Sequence, residues 1–83
     1  MFKKTFASPG HLALVQAMIE ARKAAGLTQI ELSKALLCQQ SLIARMESGQ
    51  RRIDAVDIVR WSRAVGKDPK FFIAVVDEHT DDV

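Results

Sequence analysis

Residues 26–49 read GLTQIELSKALLCQQSLIARMESG, and their spacing decides the fold. Thr28 followed three residues later by Glu31 has the form of a capping box. The Thr hydroxyl accepts the Glu31 backbone N–H, and the Glu carboxylate accepts the Thr28 N–H in return. A helix is therefore predicted to begin at Gln29. Leu32, Ala35 and Leu36 fall at helical spacing on one face, with Glu31 and Lys34 off it, so the helix should end near Leu36 or Leu37. About three residues, 37–39, lead into a second helical pattern spanning roughly 39–48. There Ile43 and Met46 mark an inward face, and Gly49 supplies a left-handed stop. Two helices joined this tightly must cross steeply, as in a helix-turn-helix.

The outward face of the second helix carries Gln40, Ser41, Ala44, Arg45 and Ser48. Gln and Arg side chains can bond two atoms at once on adenine and guanine edges, and small Ser and Ala let a backbone approach a groove floor. An ordinary solvated face has similar polarity. The capping box, the short turn and the basic pair Arg51 and Arg52 just downstream favour a DNA-facing helix. Leu42 suits either a thymine methyl or packing against the turn.

Three more helices are predicted outside this segment. Over residues 9–25, Leu12, Val15, Met18 or Ile19 and Arg22 share a face, and Gly26 ends the pattern. Asp54 followed by Asp57 marks another N-terminus, with Ile58, Val59, Trp61, Ser62 and Val65 preceding a stop at Gly66. Asp68 and Pro69 form a cap and first turn leading into Phe71, Phe72, Ile73, Val75 and Val76. That last helix is apolar nearly all round. One face can fill the domain's own core while the other would be exposed in a monomer, which predicts a homodimer interface built from Trp61, Phe71, Phe72, Val75 and Val76. With no strand-like alternation, the fold class is all-α, five helices in one domain over residues 1–76.

At 83 residues, with 48% hydrophobic but 6% aromatic content, the chain can form a single, modest core. Its formal net charge of +2 hides a division. Four of the ten acidic residues lie in 77–83, so residues 1–76 carry twelve Lys and Arg against six Asp and Glu, a net +6. A basic body suits phosphate binding, and residues 77–83 read as a flexible, solubilising acidic tail. No apolar run approaches the ~20 residues needed to span a bilayer. Residues 1–6 hold two lysines, but Ser8, Pro9, Gly10 and His11 interrupt the apolar segment beyond them, so no secretory signal is read and the cytoplasm is the expected compartment.

The single cysteine, Cys38, cannot form an internal disulfide, and with His11 and His79 far off in sequence it makes no metal site. It reads as a small apolar contact in the turn. Ser41, Ser48, His11 and His79 form no nucleophile-and-base arrangement, and no Gly-rich phosphate loop is present. No catalytic site and no cofactor are expected.

The helix-turn-helix segment resembles the phage-repressor and Cro type, the XRE family of bacterial regulators. It shares that family's pattern at Gly26, Leu27, Thr28, Gln29, Glu31, Leu32, Leu36, Ile43, Glu47, Gly49 and Arg51, and the likeness extends over residues 14–72. The resemblance implies a compact lambda-repressor-like domain that binds double-stranded DNA and regulates transcription, as a repressor and a homodimer on a pseudo-palindromic operator. It assigns base reading to Gln39, Gln40, Ser41, Ala44 and Arg45. Phosphate contacts fall to Thr28, Gln29, Gln50, Arg51 and Arg52, and a bracing ion pair to Arg22 and Glu47. Antitoxins and restriction-modification control proteins use the same module, and a helical protein-interaction module with no DNA role is the alternative of another class.

Two positions depart from the pattern. Leu37 stands where the family has Gly in the turn, and since a branched residue resists positive φ, a turn of different shape or one residue longer is expected. Ser33 stands where the family has Ala, and is small enough for close helix approach.

Overall fold

Among the described residues, four of the five helices start where a side chain can satisfy amides that a first turn leaves free. The computed structural model describes residues 8–81. Helix α1 is Pro9–Ala24, capped by Ser8, with Pro at its first position. Helix α2, Gln29–Ala35, begins with the complete Thr28–Glu31 capping box. The Thr28 backbone N–H and then its hydroxyl hold the Glu31 carboxyl below the usual carboxylate range. Helix α3, Gln40–Glu47, has Gln39 at its N-cap without a side-chain hydrogen bond. Helix α4, Ala55–Val65, opens on a second capping box, Asp54 with Asp57, and α5, Pro69–Glu78, on Asp68. Among the described residues there is no strand.

The core lies where one stripe from every helix converges. Leu14, Met18 and Ala21 come from α1, Leu32 from α2, Ile43 and Met46 from α3, Ile58 and Trp61 from α4, and Phe72 from α5. Helix α1 lies against α3, α4 and α5, and α2 packs on α3. The Trp61 ring is fully enclosed, and its Nε1–H donates to the Met18 carbonyl at 3.0 Å, so its one polar atom is satisfied inside the core. Ser33 and Ser62 are buried too, each donating to a carbonyl one turn back, Ser33 to Ile30 at 2.7 Å and Ser62 to Ile58 at 2.8 Å.

Several expectations are corrected. Leu12 is 51% exposed, because the inward row of α1 runs through Leu14, Met18 and Ala21, with Val15 and Arg22 beside it. Trp61 and Phe72, expected at a subunit interface, are each 0% exposed within one protomer and fill its core instead. Helix α5 continues through Asp77 and Glu78, two residues into the segment read as tail. His79, Thr80 and Asp81 follow the helix and are exposed, while Asp82 and Val83 lie outside the described residues, as does the reading of residues 1–6. No described helix is long and apolar enough to cross a membrane.

The turn keeps the left-handed geometry that a branched residue resists. Leu37 sits at φ 55°, as Gly49 does at φ 79° after α3, yet it bears a Cβ and is 91% exposed. A left-handed non-glycine residue costs roughly 1–2 kcal/mol, partly offset by the greater freedom glycine loses on folding. Leu37→Gly forfeits almost no burial and is expected to stabilise the fold by about 0.5–1 kcal/mol, read as a rise in urea midpoint at unchanged slope. A lowered midpoint would show that the Leu37 side chain makes contacts that offset its strain.

Candidate nucleic-acid interface

Burying Ile43 and Met46 fixes the rotation of α3 and so decides which side chains face outward. Gln40, Ser41, Arg45 and Ser48 are exposed, Gln39 stands exposed at the N-cap, and Ala44 is half-buried between them. Leu42 is half-buried and packs against the core, so its side chain serves packing. The outward face therefore presents two amides, small side chains and one guanidinium on a helix bounded by Gly49.

A polar chain runs from α1 through α3 and α2 to this face. The Arg22 side chain is 10% exposed and that of Glu47 8%. Arg22 Nε donates to Glu47 Oε2 at 2.6 Å, Nη2 to Glu47 Oε1 at 3.0 Å, and Nη1 to the Leu27 carbonyl at 2.7 Å. This two-bonded pairing is the geometry in which a guanidinium and a carboxylate repay their desolvation. Gln29 Nε2 then donates to Glu47 Oε1 at 2.9 Å, and Gln40 Nε2 donates to Gln29 Oε1 at 2.6 Å. Gln40 is thereby held by one N–H, leaving its second N–H and its carbonyl oxygen for a partner beyond the surface.

That chain alters the part assigned to Gln29. Its carbonyl oxygen and one amide hydrogen are engaged inside the protein, so a phosphate contact there can draw only on the remaining side-chain N–H and the backbone at the start of α2. Thr28 is likewise engaged in its cap, its hydroxyl accepting from Glu31 at 3.1 Å.

The loop after α3 leads into α4 and carries Gln50, Arg51 and Arg52. The Gln50 N–H bonds back to the Arg45 carbonyl at 3.1 Å, which ties the loop to the last turn of α3. Gln50 and Arg52 are exposed. Arg51 is more constrained than a free phosphate clamp: its Nη1 donates to Asp57 Oδ2 at 2.7 Å and to the Arg52 carbonyl at 3.0 Å. Asp57 was legible in the sequence as a cap, but nothing there showed that its carboxylate also takes Arg51. Arg52 lies near His11, whose imidazole is held below its ordinary pKa first by burial and then by the Arg52 charge. Arg60, which carries no signal in the sequence, donates through Nη2 to the Leu36 carbonyl and ties α4 to the turn.

The Helix-turn-helix family model matches residues 18–72. No curated protein matches the chain. Among solved structures, an XRE-family like protein from Pseudomonas syringae pv. tomato str. DC3000 is similar with a TM-score of 0.81 at 33% sequence identity, over 95% of this chain and 96% of that one. The matched residues include the capping box of α2, the turn, the whole of α3 and the Arg22–Glu47 pair. The chain belongs to the XRE family of helix-turn-helix DNA-binding regulators.

Proposed function

We propose that this protein is a sequence-specific transcriptional repressor acting in the cytoplasm as a homodimer, with α3 in the major groove of a pseudo-palindromic operator. The observation that carries this reading is the outward face of α3, where Gln40 is oriented through Gln29 and Glu47 by a buried arginine. An amide held by one N–H has its other N–H and its oxygen available for the N7 and N6 positions of adenine. Arg45, exposed one turn further on, suits guanine, while Ser41 and Ala44 keep the backbone close to the base edges. Gln39 extends the reading face, and Thr28, Gln29, Gln50, Arg51 and Arg52 supply the sequence-independent hold on phosphates. Dimerisation is assigned to the exposed side of α5, where Phe71 and Ile73 are 42% and 52% exposed beside half-buried Val75 and Val76. A dimer with a two-fold axis would place its two reading helices about 34 Å apart, one turn of DNA.

Selection of bound duplexes from a random pool at near-physiological salt tests the reading, because non-specific phosphate binding is weakened there. Enrichment of an inverted repeat with half-sites about one helical turn apart is expected. Folded protein that enriches no duplex would overturn it. On the selected operator, Arg45→Ala is expected to lose about 1–3 kcal/mol and to relax preference at one position per half-site, whereas Arg52→Ala weakens all duplexes alike and lowers the salt slope by about one. Equal losses on operator and random DNA for Arg45→Ala would remove Arg45 from base reading.

A further inference from the structure

We infer that Asp57 is a positioning residue for DNA binding, fixing the Arg51 guanidinium so that its Nε–H and Nη2–H edge meets a phosphate already aligned. The inference rests on the proposed DNA-binding function and adds to it a carboxylate that would otherwise be counted as unfavourable near nucleic acid. Arg51 sits in the loop between α3 and α4, and an unrestrained arginine there would give up its rotamer freedom on meeting a phosphate. Here much of that freedom is already gone. The two Nη1 hydrogens go to acceptors on different segments, Asp57 Oδ2 in the first turn of α4 and the Arg52 carbonyl in the loop, at 2.7 and 3.0 Å.

Asp57 is itself held. Its Oδ2 accepts the Asp54 N–H at 3.1 Å, and its own N–H donates to Asp54 Oδ1 at 2.9 Å, so the α4 capping box sets the carboxylate that sets the guanidinium. The Asp57 side chain is 17% exposed and that of Arg51 33%, which leaves part of the guanidinium open to solvent. Among the described residues its Nε and Nη2 carry no hydrogen bond. Those two groups point in parallel along one edge of the planar fork, the arrangement that spans two oxygens of one phosphate. Orientation is thus set before DNA arrives, and the loop that carries it is tied to the end of α3 through Gln50.

Charge alone and positioning predict opposite signs for Asp57→Asn. Removing a negative charge beside phosphates should tighten every duplex if Asp57 is only a cap with an unhelpful charge. If it positions Arg51, operator binding weakens, since asparagine retains a cap acceptor but grips the guanidinium less firmly. The measurement is a double-substitution cycle on the operator recovered by selection, with fluorescence anisotropy on protein shown folded by circular dichroism. Asp57→Asn is expected to reduce operator affinity about 5–10-fold in the natural background and not at all in an Arg51→Ala background. Asp57→Glu, which keeps both the charge and a good capping-box residue, is expected to retain most of the affinity. Tighter or unchanged binding by Asp57→Asn, or the same loss in both backgrounds, would overturn the assignment and leave Asp57 as a helix cap. Natural protein with no measurable affinity for any duplex would overturn the DNA-binding reading, and the positioning role with it; natural binding without coupling would overturn the positioning role alone.

Discussion

Phe72→Asp is expected to leave the chain unfolded at room temperature. Phe72 is fully enclosed, its ring in the common core with Trp61 and Met18 and edge-on to Phe71 at 5.2 Å between centroids. Losing a buried phenyl ring costs about 3–5 kcal/mol, and a carboxylate in its place must either stay charged out of water or take up a proton. A domain of this length has roughly 4–12 kcal/mol in all. Far-UV circular dichroism should show the helical signal lost. Phe71→Asp is the informative companion. Phe71 is 42% exposed, with the Lys67 ammonium 4.4 Å from its ring centroid, so that variant should stay folded. If the outer side of α5 joins two subunits, its mass by light scattering falls to that of a monomer. A folded Phe72→Asp protein would mean that the ring is not in the core; a dimeric Phe71→Asp protein would move the interface elsewhere.

Glu47→Ala is expected to be nearly as damaging, by about 3–5 kcal/mol, because it strands the Arg22 guanidinium in a site only 8% exposed. At about 4–8 °C of melting temperature per kcal/mol, the loss is large in a thermal scan. The same substitution releases Gln29 and through it Gln40, so whatever folds should also bind operator poorly. Replacing both partners separates the two effects. Arg22→Met with Glu47→Leu removes the charges together and should recover much of the stability, as buried ion pairs exchanged for apolar groups often do. It should not recover operator preference, since Gln29 then has no carboxylate to hold it. A double variant that reads the operator as well as the natural protein would show that the chain of hydrogen bonds has no part in recognition.

Much of this fold could be read from residues whose role is local. Thr28 with Glu31, Asp54 with Asp57 and Pro69 after Asp68 act on amides within one turn, and each marks a helix start in the structure. Gly49 behaves in the same way at a helix end. What could not be read depends on the rest of the molecule. Leu12 and Leu14 fit α1 equally well until the other helices determine which row is covered. Trp61 and Phe72 look like interface residues in a chain with few aromatics, and only the convergence of α1, α4 and α5 shows that one protomer needs both. Leu37 reverses the usual preference for glycine because the residues on either side are fixed by α2 and α3. At the candidate site, the outward stripe of α3 followed from periodicity. The engagement of Gln29 by Glu47 and of Arg51 by Asp57 did not, because hydrogen bonds across 18 and 6 residues leave no periodic trace.

The bond from Gln40 to Gln29 also bears on how such a protein could change its target. On the proposed reading, the first letter read by α3 would be spelled by two residues on separate helices, Gln40 meeting the groove and Gln29 holding Gln40. Substituting Gln40 alone leaves the Gln29 carbonyl facing outward without its donor, so a lineage drifting toward a new operator has to pass through a poorly matched intermediate or alter both positions together. Transplanting the exposed face of a relative's reading helix onto this scaffold meets the same obstacle unless position 29 travels with it.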